Sequence, residues 1–224
     1  MDKNQLLEDS LKVYADFSGF DLEHLKQVGV HIGNSPAALK QLYMSYLKKD
    51  DKSEIAITGR GIEVKLDSSS FLKFMNLVDV CYSEILPIGS VVGADLEQFP
   101  EGFRKMYETN NEVALFIITG RKSPAHDAKL PVYVDYSARL FPFGETEFIP
   151  AFHLSNMMIK KVVHKGFTNA DEVKFTEKMR QDIVNSKVRS IGFLSEDEFK
   201  TLETKISNTM TAALGADQQL GGDS

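Results

Sequence analysis

Few residues of this sequence have the types and spacing that catalytic chemistry requires. His126 and Asp127 are adjacent, and an imidazole beside a carboxylate is a pairing used in general acid–base catalysis. Neighbours in a chain rarely orient each other as a dyad, so we interpret this pair as part of a surface loop. His153 and His164 lie among apolar residues of predicted strands, where a structural histidine is the common outcome. We therefore predict no catalytic residue.

Cys81 is the single cysteine of the chain. An intramolecular disulfide is therefore impossible, which favours a cytoplasmic location. The residue falls in an apolar helical pattern and has no histidine or other cationic neighbour to lower its pKa. We interpret it as a small buried hydrophobic residue, with a nucleophile as the alternative.

Sequence motifs for cofactors and metals give negative results. We find no phosphate-binding glycine loop, no metal-spaced histidine or cysteine pair and no nucleophile elbow, so we predict neither cofactor nor metal. The tripeptide Thr-Gly-Arg occurs twice, at 58–60 and at 119–121, after isoleucine-rich segments. Paired anion contacts would explain the repeat, but a strand followed by a turn explains it more simply.

The overall charge and hydrophobicity exclude several classes of function. The formal net charge of −6 disfavours non-specific binding of nucleic acid, which needs a surplus of Lys and Arg. The N-terminus lacks the apolar core of a signal peptide, and no apolar run approaches the roughly 20 residues of a membrane span. We expect a protein that stays inside the cell and has one large domain or two small ones.

The first 84 residues predict an α-rich unit. Leucine and tyrosine stripes indicate three helices, the last of them starting at Ser35-Pro36 and carrying Leu39, Leu42, Tyr43, Tyr46 and Leu47 on one face. Alternating apolar residues on either side of Gly59-Arg60-Gly61 predict a hairpin. A helix capped by Ser68-Ser69-Ser70 completes the unit.

Residues 85–214 predict a second, α+β domain. Two β-branched runs, Leu86–Val92 and Val113–Thr119, are typical of strands. The segment between them is predicted to be a long connection with one helical turn. Alternating apolar and polar residues over 132–138 predict a strand with one buried and one solvent-exposed face, ending in a turn at 141–144. These strands indicate a small antiparallel sheet or open barrel.

Two helices close the predicted second domain. Thr168-Asn169-Ala170-Asp171 is a capping box for the first, and Ser195 with Glu198 forms a capping box for the second. The tail, 215–224, is small and polar and is predicted to be disordered. The predicted fold class is α+β, with an N-terminal helical unit, a central sheet and C-terminal helices.

Four segments of the middle of the chain, taken together, resemble a known family. They are Leu86-Pro87-Ile88-Gly89-Ser90-Val91-Val92, the run 115–121 ending in Gly120-Arg121, Tyr133-Val134-Asp135-Tyr136, and Phe152-His153-Leu154 leading to 159–167. Their order resembles the LPxGSVV, IIGR and VVxxGF pattern of a small family of unknown biochemical function. Members of that family are encoded in type VII (Ess/Esx-like) secretion loci of Gram-positive bacteria.

The resemblance implies a non-catalytic accessory protein of toxin export. Such a chaperone or targeting factor would bind a protein partner, either a secreted toxin or a small helical secretion factor, through apolar surface. Our candidate partner-binding residues are aromatic: Phe99, Phe103, Tyr107, Phe141 and Phe143. Core filling is the alternative for each of them. An immunity protein that neutralises a cognate toxin and an enzyme with an unrecognised site are the alternative functions.

Overall fold

The fold is an α+β arrangement of helices at both ends and antiparallel sheets between them, as the sequence predicts. A computed structural model describes residues 2–34, 42–49, 52–106, 113–125, 131–146 and 149–202. His126, Asp127, Tyr107 and the 215–224 tail lie outside the described residues.

The N-terminal unit packs three helices against one another, two of which also contact a three-stranded sheet. Its elements are α1 (Lys3–Val13), α2 (Leu22–Asn34), β1 (Tyr43–Lys49), β2 (Lys52–Gly59), β3 (Ile62–Asp67) and α3 (Ser68–Tyr82). The strands run antiparallel in the order β1-β2-β3. The β2–β3 hairpin is confirmed: Gly59, Arg60 and Gly61 all have positive φ, which glycine adopts without strain.

The predicted third helix is wrong over residues 43–49, which form strand β1. Tyr43, Tyr46 and Leu47 have helical spacing, but they also follow a β-favouring aromatic pattern. All seven residues of β1 pair with β2, so the neighbouring strand determines the conformation of this segment. The start proposed at Ser35-Pro36 lies outside the described residues.

The central sheet is open and its described strands follow the order β7-β6-β5-β4-β8. They are β4 (Val91–Asp95), β5 (Val113–Pro124), β6 (Val132–Leu140), β7 (Phe152–Leu154) and β8 (Ile159–His164). These strands pair antiparallel, and a short β9 (Arg189–Ser190) adds to β6 in parallel. Helix α4 (Glu101–Met106) supplies the helical turn predicted between the first two strands.

Three details of the predicted central strands need correction. The first strand starts at Val91, and residues 86–90 form a turn before it. Strand β6 has buried residues on both faces, including Asp135, because other elements cover both its sides. The second Thr-Gly-Arg tripeptide does not end its strand: β5 continues past Gly120 through a register shift to Pro124.

The C-terminal part consists of α5 (Ala170–Ser186) and a helix over 196–202 at the edge of the described chain. The cap of α5 falls within the predicted 168–171 capping box, but the cap residue is Asn169 and not Thr168: the Asn169 side chain accepts a hydrogen bond from the N–H of Glu172. Ser195 and Glu198 bond each other reciprocally through side chain and backbone, which confirms the capping box.

The buried apolar residues form three clusters. The first lies within the N-terminal unit and is centred on Leu7, Phe17 and Phe74. The second lies under the central sheet and includes Phe116 and Tyr136. The third is small and contains one residue of α3, one of β6 and two of α5: Val80, Tyr133, Ile183 and Val184. It joins the N-terminal unit to the central sheet and the C-terminal helix.

Candidate functional site

The titratable side chains that lie closest together form a buried ionic network around Lys122. The Nζ of Lys122 lies 2.5 Å from Asp135 Oδ1 and 4.0 Å from Asp79 Oδ2, and 4.9 Å from the ring centroid of Tyr133. The charged side chains are between 0% and 10% exposed. Lys122 follows the register shift in β5 and has φ of 49°, so its backbone is left-handed.

Polar groups from the C-terminal half complete this network. The second carboxylate oxygen of Asp135 accepts two hydrogen bonds, one from Ser190 Oγ at 2.5 Å and one from the backbone N–H of Asn156 at 3.1 Å. The Nδ2 of Asn156 donates to both oxygens of Asp79, which also accepts the hydroxyl of Ser83. Each carboxylate therefore has several donors, as buried charges require.

This arrangement suits a structural connection between elements. Burial raises the pKa of the Asp79 carboxyl, and the Lys122 ammonium partly opposes that shift. Because its charged groups are enclosed and satisfied within the network, a substrate has no exposed charged group to contact. The network joins α3, β5 and β6 to residues 156 and 190.

A second ion pair connects β5 to α5. The guanidinium of Arg121 bonds both carboxylate oxygens of Glu172, with Nη2 at 2.8 Å from Oε2, and it stacks 5.4 Å from the ring centroid of Phe175. Bonding to Arg121 lowers the pKa of Glu172. Arg121 Nη1 also lies 3.5 Å from the carbonyl oxygen of Leu86, so the pair holds the 86–90 turn against the start of α5.

The edge strand β8 is the most accessible feature of the central sheet. Its first residue is half-buried and the next five are exposed, with Val163 53% exposed. In the described part of the chain it pairs with β4 alone, so its other edge presents unpaired N–H and C=O groups. Lys160 pairs with Asp95 Oδ1 at 3.0 Å, so Lys161 gives this edge its basic character.

Exposed apolar side chains adjoin the end of β8. The backbone N–H of Gly166 donates to Ser90 Oγ at 3.0 Å, and a Cβ at Gly166 would lie 2.2 Å from the Ile88 carbonyl oxygen. The backbone of Ile88 therefore lies against Gly166, the residue before Phe167, and the Ile88 and Phe167 side chains are 54% and 81% exposed. Strand β8 and these two residues together form what we call the β8 edge, residues 159–164 with Ile88 and Phe167.

The structure separates the aromatic residues predicted to bind a partner. Phe99 is buried and stacks on Phe103 and Phe116, with ring centroids 4.7 and 5.5 Å apart. Phe103 is half-buried against the same cluster. These two residues therefore correspond to the core-filling alternative. Phe141 and Phe143, on the turn after β6, are 45% and 61% exposed and are accessible to a partner.

Among the described residues there is neither a metal-binding cluster nor a membrane-spanning helix. Within those ranges, no group of three or more His, Cys, Asp and Glu side chains is placed to hold a metal ion. No helix there has the length and apolar content needed to cross a bilayer.

The middle of the chain is similar to one family. Residues 85–175, less than half of the chain, match the family described as Domain of unknown function (DUF4176). This match confirms a resemblance to a family of unknown function, whereas the secretion context stays a prediction. No curated protein and no solved structure matches the chain. The matched segment starts before the 86–90 turn and contains all of β8.

Two features of this site escaped prediction from the sequence. Periodicity and motifs do not identify Lys122, because its partners Asp79 and Asp135 are distant in the chain and meet it only after folding. The available signal was the Gly120-Arg121 pair within a β-branched run, since glycine inside a strand pattern indicates a bulge. The openness of β8 depends on sheet order, which the sequence does not specify.

Proposed function

We propose that this protein is a non-catalytic accessory protein of type VII secretion. In this proposal it binds an effector toxin, or one of the effector's small helical partner proteins, as a chaperone or targeting factor in the cytoplasm. The family resemblance of the central segment supports the secretion context. Protein binding is supported by one structural observation, the open β8 edge within the matched segment.

The geometry of β8 favours binding by strand addition. An extended segment of a partner can pair with the unpaired backbone groups, while side-chain contacts provide specificity. Val162 and Val163 offer exposed apolar contacts, and Lys161 favours acidic residues in the partner. Strand β8 has no acidic residue to pair with Lys161 of a second copy, so the proposed occupant is a different chain, with apolar residues flanked by Asp or Glu.

A secretion assay combined with co-purification tests this proposal. The gene is deleted in its native host, and the deletion is complemented with the wild type or with a Lys161→Glu/Val163→Glu variant. We expect deletion to reduce export of the effector and the wild type to restore export. The variant should neither restore export nor co-purify with the effector, because two carboxylates replace a cation and an apolar contact at the edge.

A matched control separates binding from general effects of charge. Lys12→Glu/Val13→Glu makes the same two changes at the exposed end of α1, outside the matched segment, and should behave as the wild type. Unchanged export after deletion would contradict the secretion role. Protection of cells against the isolated toxin domain, without any effect on export, would instead indicate an immunity protein.

A further inference from the structure

Strand β1 exposes more large apolar side chains than an edge strand normally does. Tyr43, Met44, Tyr46 and Leu47 are between 56% and 73% exposed. In the described part of the chain, β1 pairs with β2 on one side only, so the other edge is open. Edge strands are usually protected by charge, and β8 illustrates this with its lysines.

The two faces of β1 follow from its register with β2. Met44 pairs with Ile57 and Tyr46 with Ile55, and both isoleucines belong to the N-terminal core. Side chains alternate along a strand, so Met44 and Tyr46 share the core side of the sheet, and Tyr43, Ser45 and Leu47 share the other side. Along the chain, two large apolar residues precede the small Ser45 and two follow it.

We propose that β1 pairs antiparallel with β1 of a second copy of this chain, about a twofold axis at Ser45. The two three-stranded sheets then form one six-stranded sheet. Directly opposite residues lie on the same face, so Tyr43 meets Leu47 of the other copy and Met44 meets Tyr46. Every exposed apolar side chain of the strand gains an apolar partner, as an isologous interface requires.

Charge and register both favour a second copy as the occupant. The exposed Lys48 lies outside the apolar stretch and faces Leu42 of the other copy, so no lysine faces a lysine. A twofold axis one residue further, at Tyr46, would also place the core faces of the two sheets on the same side. It would, however, set Met44 opposite Lys48 and Ser45 opposite Leu47. The Ser45 axis therefore assigns a self-complementary surface to a unit outside the matched segment.

Sedimentation of the purified full chain at low salt tests the dimer and its axis. We expect a concentration-dependent species of twice the 25.1 kDa of one chain. Ser45→Lys and Ser45→Glu each place like charges opposite each other at the axis, and each should remove the dimer at the concentration where the wild type is half dimeric. Mixing the two variants should restore a dimer, because unlike charges then meet.

Cysteine cross-linking gives a second measurement of the register. Opposite Cα atoms in an antiparallel pair are about 4.5–5.5 Å apart, within disulfide range. Ser45→Cys should therefore form a covalent dimer under mild oxidation. Leu47→Cys should not, since its two copies would be about 13 Å apart along the strands. The native Cys81 is fully buried and gives no background.

Three results would overturn the proposal. The first is a monomer at all concentrations up to several hundred micromolar. The second is a dimer that survives both charged variants, which would place the interface elsewhere. The third is protection from hydrogen exchange, in a monomeric wild type, of the β1 amides that face away from β2, which would mean that another segment or partner covers the edge. Val163→Lys, which adds the same charge to β8, should leave the dimer intact and serves as the control.

Discussion

Replacing Lys122 with methionine should destabilise the fold by about 3–5 kcal/mol, the usual cost of removing one partner from a buried ion pair. Methionine keeps the unbranched apolar stem, shorter by one heavy atom, and removes the charge. The Lys122 side chain is 3% exposed and its Nζ lies 2.5 Å from Asp135 Oδ1, and the Asp135 side chain is 0% exposed. Without the Lys122 ammonium, Asp135 and Asp79 would remain as two buried carboxylates with no cation between them.

A double-mutant cycle isolates this interaction. Asp135→Asn keeps an acceptor for Ser190 and the backbone of Asn156 but removes the charge. The Lys122→Met/Asp135→Asn double variant should lose less stability than the two single variants combined, with a coupling energy of about 1–3 kcal/mol. Urea denaturation followed by far-ultraviolet circular dichroism measures each free energy of unfolding, since the chain has no tryptophan.

The exposed pair Lys165–Glu84 provides the matched control. Its side chains are 58% and 55% exposed and its nitrogen–oxygen distance is 2.9 Å, so Lys165→Met should cost at most about 1 kcal/mol. A loss below about 1 kcal/mol for Lys122→Met, or strictly additive effects in the cycle, would refute the claim that this network stabilises the fold.

The remaining predictions concern the supports of the central sheet. The pKa of Glu172 is lowered by Arg121, so its contribution to stability is complete above the unfolded value of 4.5 and is lost as the pH falls through the lowered folded value. Glu172→Gln should therefore be less stable than the wild type at pH 7, and the difference should shrink in denaturation curves below pH 4; a constant difference would contradict this. Gly166→Ala should cost about 1–3 kcal/mol in urea denaturation, because its Cβ would lie 2.2 Å from the Ile88 carbonyl oxygen; an unchanged midpoint would show that the turn adjusts freely. Burial raises the pKa of Cys81 to about 11, so a thiol reagent should label the protein only after unfolding; rapid labelling of the native protein would show that this part of α3 opens.

Local signals in the sequence predicted the elements whose conformation depends on neighbours along the chain. Gly59-Arg60-Gly61 specified the hairpin because its backbone needs positive φ. Ser195 and Glu198 specified a helix start because their side chains bond the first free N–H groups. In both cases the deciding contacts lie within four residues, so the sequence alone contained the relevant information.

Non-local contacts determined the features that the sequence did not reveal. Residues 43–49 became a strand because β2 pairs with them along their whole length. Phe99 is a core residue because the connection between β4 and β5, which contains it, packs against Phe116. Asp135 faces a buried lysine because a bulge in β5 shifts the register. Each outcome depends on a partner distant in the chain, which periodicity does not identify.

Hydrogen exchange on the wild-type protein, with and without the effector, tests the central claim most directly. If the β8 edge binds a partner by strand addition, the amides of Ile159–His164 that face away from β4 should become protected when the effector is added. Those of β2, which has a partner strand on each side, should not change and serve as the internal reference. Protection confined to another surface, with β8 exchanging as fast as in the free protein, would contradict the account.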